Sequence, residues 1–235
     1  MIHSLRHFIL YALVVVGLAA LSVAQPADSK PKFLTCPGDP PGNLASLDCN
    51  FTPKMRLDAF VSSSVTDQAA IGALFFGSLA QFQNSPSEWG RGWSGFGKRA
   101  GSRYAQNMTK GLAEFTVGTV LGTDPRPVSY SSDPLISNYR PGLSPRIGHA
   151  FVDFLTTRIS KGDGKGSRLP NLPLFAGAAA SAFVGNTWYP QTQTTAKEVG
   201  IRAASSLGTA LAGRFYNEFK PEVNRLLAVI FRKRG

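Results

Sequence analysis

Acidic residues, cysteine, histidine and long apolar runs are all scarce in this 235-residue sequence, and each scarcity removes a class of function. Two cysteines cannot make a disulfide-dense scaffold, and two of the three histidines, His3 and His7, lie at the extreme N-terminus. That leaves His149 alone beside Cys36 and Cys49, too few donors for the common zinc sites, so no metal and no cofactor is expected. Beyond residue 24 no apolar run approaches the ~18 residues of a spanning helix. No long stretch alternates with period two, which argues against a sheet-based fold. Nucleophile elbow and HExxH motifs are missing, and Lys161-Gly162-Asp163-Gly164-Lys165-Gly166 lacks both the phosphate-loop spacing and a preceding strand, so it reads as a turn.

What is present starts with a targeting segment. Arg6 supplies a positive start, Ile9 to Val23 an apolar stretch, and Ser22-Val23-Ala24 a small-x-small cleavage site, so residues 1–24 read as a signal peptide of an exported chain. The alternative is a membrane anchor, which its short apolar run disfavours. Residues 25–53 are punctuated by Pro26, Pro31, Pro37, Pro40, Pro41 and Gly42 and read as an extended leader. Export makes Cys36 and Cys49 a disulfide pair; the competing reading is a lipidated Cys36. Loss of the signal takes the net charge from +11 to +10. For an exported chain that excess suits anionic lipid, lipopolysaccharide or a cell-wall polymer, while export counts against nucleic acid, and solubility alone also accounts for the charge.

Residues 54–235 read as a single all-α domain, a bundle of five to seven helices. Leu57, Phe60, Val61 and Val65 share a stripe, and Asp67 looks like the N-cap of a helix reaching Gln83 with Ala69, Ala73 and Gly77 four apart. Asn84 to Ser87 breaks it. A long helix is expected from Phe96 to Leu121, stopped by Gly122 and the prolines after it. Ser144 and Pro145 open another, Asn171 a third rich in alanine, and Lys197 to Phe219 a fourth that Pro221 interrupts. Small residues recur along the helices: Gly97, Gly101 and Ala105 four apart, a second set at Gly111, Gly118 and Gly122, then Gly177 in the alanine-rich helix, then Gly200, Ala204, Gly208 and Ala212 four apart. Such stripes let backbones approach at about 1 kcal/mol of propensity per glycine, and they are expected to be helix-packing faces, within the chain or between copies in a homo-oligomer.

Several strings in order carry a resemblance: Asn84-Ser85-Pro86-x-Glu88-Trp89-Gly90, Gly95-Phe96-Gly97-Lys98-Arg99-x-Gly101, Asp124-Pro125-Arg126, Arg146-Ile147-Gly148-His149-Ala150, and Asn186-x-Trp188-Tyr189-Pro190 with Asn217-Glu218-Phe219. Together, over about residues 54–222, they resemble a family of exported proteins met chiefly in acidobacteria. The resemblance implies an exported bacterial protein and supplies no catalytic residues. Pro127 and Val128 depart from the aromatic residue expected after Arg126.

Two functions compete. One is a non-enzymatic envelope protein lying on the outer membrane or self-associating, with Lys98, Arg99, Arg103, Arg232, Lys233 and Arg234 as its anionic-surface contacts. The other is a periplasmic hydrolase or ligand-binding bundle. Its catalytic candidates are His149, Asp153 one turn away to orient or charge the ring, and Glu114 or Glu218 as a second acid–base group. The plainer reading of His149 and Asp153 is a local hydrogen bond buttressing the Asp124–Arg126 loop.

Overall fold

The computed structural model describes residues 51–126, 128–133, 135–136, 140, 142–159 and 167–232. The signal segment, the Cys36–Cys49 pair, the Lys161–Gly166 turn, Lys233 and Arg234 lie outside the described residues, as does the side chain of Arg232. Within them the chain is all-α, with six helices of twelve residues or more. They fall into two compact units. One takes the residues up to Arg126 together with Leu155–Thr209; the other takes those between Arg126 and Leu155 together with Ala210 onward.

In the first unit α1 is Pro53–Ser64, started by the Thr52 hydroxyl, which accepts from the Met55 amide at 3.3 Å, and by Pro53 in the first turn. α2 is Asp67–Phe82. Thr66, not Asp67, occupies its cap, and Asp67 sits in the first turn, where its charge favours the helix dipole. Pro53–Phe82 taken together passes for a membrane-crossing segment by length and composition, although it is two helices and polar residues at Ser62 to Ser64 and Thr66 to Gln68 break its apolar sequence.

α3 is Trp93–Leu121 and is the axis of this unit, packing against α1, α2 and α5, which is Leu172–Val184. It begins three residues before the expected Phe96, because Gly95 fits against the Trp89 and Gly90 carbonyls where a Cβ could not. It ends at Gly122, whose φ of 64° is the left-handed cap that glycine adopts without strain. α5 buries Gly177, Ala178, Ser181 and Ala182, as its lack of side-chain volume predicts for a central helix.

Small residues do bring backbones together, but not all the expected ones. A Cβ on Gly77 would lie 2.8 Å from the Ala100 Cα, and one on Gly177 2.9 Å from the Lys110 carbonyl oxygen. Gly118 is also buried, 3.1 Å from the Thr123 hydroxyl by the same measure. Gly101, Gly200 and Gly208, by contrast, face open space, and Ala204 is exposed. Gly122 serves as a helix terminator, and a Cβ added there would meet nothing within 4 Å. A four-residue spacing identifies a shared face without saying whether that face is the inner one.

A small antiparallel sheet, which the sequence did not announce, has the order β1–β2–β3: Thr123–Asp124, Thr156–Ile159 and Arg168–Pro170. Thr123 faces Ile159 and Thr157 faces Leu169 in the register. Strands of two to four residues are too short to display a period. Beside the sheet Arg56 donates to the Thr123 carbonyl and, at 3.0 Å, to that of Gly118. Arg126 binds Asp124 at 2.6 Å, and both guanidiniums stand over the Phe51 ring. The Asp124–Arg126 turn is thus held from Phe51, Arg56 and Arg158 of its own unit.

The second unit contains α4, Leu143–Leu155, up to Phe154, and the latter part of α6, Ala196–Arg232, whose earlier part belongs to the first unit. α4 starts at Leu143, one residue before the expected Ser144 cap, with Pro145 still in the first turn. α6 runs through Pro221 as one helix, where an interruption is expected. Proline removes one helical donor at the Asn217 carbonyl, and the adjacent Glu218 carbonyl accepts a bond from Arg146.

Candidate functional site

The second unit gathers its polar residues around His149. α4 carries Arg146, His149 and Asp153 on one face, as their spacing predicts. α6 answers with Arg214, Glu218 and Glu222, also on one face because they are four residues apart. Between Arg126 and α4 the chain supplies the Tyr130 amide and Asp133.

His149 is clamped at both nitrogens. Nε2 lies 3.0 Å from Asp133 Oδ2, and Nδ1 makes a short contact with Glu218 Oε1. All three side chains are buried. Glu218 also accepts from the Tyr130 amide at 2.9 and 3.0 Å, Asp133 accepts from the Leu135 amide at 2.9 Å, and the Tyr130 ring stands 5.7 Å from the imidazole. Burial by itself would lower the imidazole pKa, but the hydrogen bonds and charges of Asp133 and Glu218 outweigh it and carry the value up to about 9.

Asp153, expected to orient or charge His149, instead pairs with Arg214 at 3.0 Å. Charge reaches the ring from Asp133 and Glu218, neither of which is on its helix. Arg146 binds Glu222 at 2.5 Å and stacks over Phe219 at 4.4 Å. That bond is the largest influence holding the exposed Glu222 carboxyl down to about 2.

Chemically this is a clamp. At neutral pH the ring is a buried imidazolium with a carboxylate on each N–H, so it has no lone pair with which to act as a base. Among the described residues no three His, Cys, Asp or Glu side chains converge as metal ligands. Glu114 belongs to the other unit, where it pairs with Lys110 at 3.7 Å and its methylene packs against Gly177.

Of the expected basic contacts, Lys98 is exposed and Arg103 half-buried, but Arg99 is not a surface residue at all. Its guanidinium donates to the carbonyls of Ser85 (3.0 Å), Pro86 (2.5 Å) and Gly90 (2.6 Å), and to the side chains of Gln81 (2.5 Å) and Asn84 (3.3 Å). A planar fork of donors suits that ring of acceptors, which is why an arginine is inside. The Asn186–Pro190 string is a similar anchor: the Trp188 indole donates to the Ser102 hydroxyl at 2.8 Å, and Arg202 donates to Asn186 and stands over Tyr189. Asp133 and Arg214 were missed as members of the His149 cluster. The four-residue spacing of Arg214, Glu218 and Glu222 was a usable signal, whereas Asp133 offered none.

Comparison of the chain with protein families, with curated proteins and with solved structures finds no match.

Proposed function

We propose that the protein is a non-enzymatic component of the cell envelope, exported and lying with outward apolar helix faces on a membrane surface. One observation carries this reading. α2 is inverted relative to a helix of a water-surrounded core: it buries Ala69, Ala73, Gly77 and Ala80, and it turns Ile71, Leu74 and Phe82 outward. Water selects the opposite arrangement, because burying a large apolar side chain stabilises by about 1.5–3 kcal/mol and burying alanine by much less. Apolar surroundings remove that selection and leave close backbone packing through small residues as the main attraction between helices. Leu57, Val61 and Val65, read from the sequence as one stripe, are likewise outward on and just after α1. The clamped His149 favours this reading over a hydrolase.

Self-association is the second reading, favoured by Gly200, Ala204 and Gly208, a small-residue stripe that α6 leaves in open space. Flotation with lipid vesicles, alongside sedimentation equilibrium without lipid, separates the two. Flotation of a chain that is monomeric in buffer supports the membrane reading. A chain that stays at the bottom of the gradient and sediments as a defined oligomer defeats it in favour of the second.

A further inference from the structure

The end of α2 and the start of α3 meet at a short, strongly braced turn. Gln81 donates through Nε2 to the carbonyls of Arg91 and, at 3.3 Å, Gly92. Phe82 and Trp93 flank that bond, and they are 88 % and 87 % exposed, the most exposed large apolar side chains among the described residues. Arg99 ties the intervening segment from inside, by three bonds to its carbonyls and two to the side chains of Gln81 and Asn84. The turn is therefore ordered, and its two aromatic rings are outward because of how it is built.

The helix beneath the indole is bare. Gly97 and Gly101 follow Trp93 at one and two turns on the same face and meet nothing within 4 Å, so the ring has no neighbour there to fold onto. Phe96 touches it edge-on at 6.0 Å between centroids. Arg91, two residues before the indole, and Lys98, five residues after it, are exposed. Glu88, the acid of this stretch, accepts from the Thr192 hydroxyl and from that of Ser87 at 3.3 Å.

We propose that this turn is an interfacial anchor: Phe82 and Trp93 enter the headgroup–acyl boundary of a bilayer containing anionic lipid, with Arg91 and Lys98 at the lipid phosphates. The chemistry of the four side chains identifies the occupant. Indole, with an apolar body and one N–H, partitions to that boundary, and flanking cations gain about 1 kcal/mol each from an anionic surface. The brace matters energetically, because a turn already ordered loses little conformational freedom when it inserts. The proposal rests on the membrane reading above and goes beyond it by naming the residues and the lipid charge.

The test uses the full chain purified from cells and vesicles of neutral phosphatidylcholine with or without phosphatidylglycerol, some brominated along the acyl chain. Residues 9–23, if retained, would carry any variant to lipid, so the decisive signal is Trp93 itself. Bromine should quench part of the tryptophan emission, and that part should vanish in Trp93→Phe. Phe82→Ser and Trp93→Ser should each weaken partitioning about tenfold, and the pair Arg91→Ser, Lys98→Ser should remove most of the preference for anionic vesicles. All four positions are exposed, and unchanged thermal unfolding would verify that the variants fold. Binding with no Trp93-dependent quenching and no loss in either serine variant overturns the anchor and leaves the membrane reading standing. Absence of binding by the unsubstituted chain defeats both. An oligomer in buffer that Trp93→Ser converts to monomer shows the turn to be a protein contact and also overturns the proposal.

Discussion

His149 and Arg99 show how this chain uses its few polar groups: each is buried, each is charged, and each holds a loop to helices. For His149 the consequence is pH dependence. Its folded pKa is raised to about 9 from an ordinary 6.5, so its contribution is complete below about pH 6.5 and is lost as pH rises through about 9. Across that window the second unit should lose up to about 3 kcal/mol of stability. Urea unfolding followed at pH 6 and pH 9.5 measures it, and His149→Gln should flatten the difference. Hydrogen exchange offers a local readout: in His149→Gln at constant pH, the amides of Tyr130 and Leu135 should lose protection first, since both are held by the clamp's carboxylates. A flat stability profile in the unsubstituted chain would rule out the charged clamp. Arg99→Lys is the matching substitution in the first unit. One ammonium cannot reach five separated acceptors, and stranding buried carbonyls should cost about 3 kcal/mol or more in thermal unfolding.

At the scale of elements, glycine separates into two populations that a sequence presents as one. Gly77 and Gly177 face neighbouring backbone at under 3 Å from a notional Cβ, so Gly77→Ala and Gly177→Ala should destabilise by about 1–3 kcal/mol through overpacking. Gly101→Ala and Gly208→Ala, with open space around them, should be neutral or stabilise by up to about 1 kcal/mol through helix propensity. Chemical denaturation of the four variants orders them, and equal effects across the set would discredit the distinction. The same pair of cases explains what was legible beforehand. Helix existence was, because Pro145, Asn171, Gly122 and the apolar spacings act within a few residues of themselves. Which face of a helix points inward was not, because Gly101 and Gly77 obey the same four-residue rule and differ only in what lies opposite. The sheet escaped notice for lack of length. In the His149 cluster the helical members Arg146 and Glu218 were legible as chemistry-bearing residues, whereas Asp133 reaches the ring through a path of irregular backbone with no periodic signature.

For the whole molecule, the formal charge overstates how basic its surface is. The sequence carries +11, yet Arg56, Arg99, Arg126 and Arg158 are buried and spend their donors on carbonyls, on Asp124 or on aromatic rings. A protein attached to an envelope by charge alone leaves when salt screens it, since the Debye length falls to about 3 Å at 1 M. Attachment through Phe82, Trp93 and the outward face of α2 behaves differently, because apolar burial is not weakened by salt. Washing isolated envelopes with about 1 M sodium chloride should therefore leave most of the protein in place, with detergent required to release it. If salt alone empties the membrane fraction, electrostatics dominate and the inverted face of α2 has some other use. If salt fails for the unsubstituted chain but succeeds for one with both Phe82→Ser and Trp93→Ser, the basic residues steer the protein to the surface and the aromatic pair keeps it there.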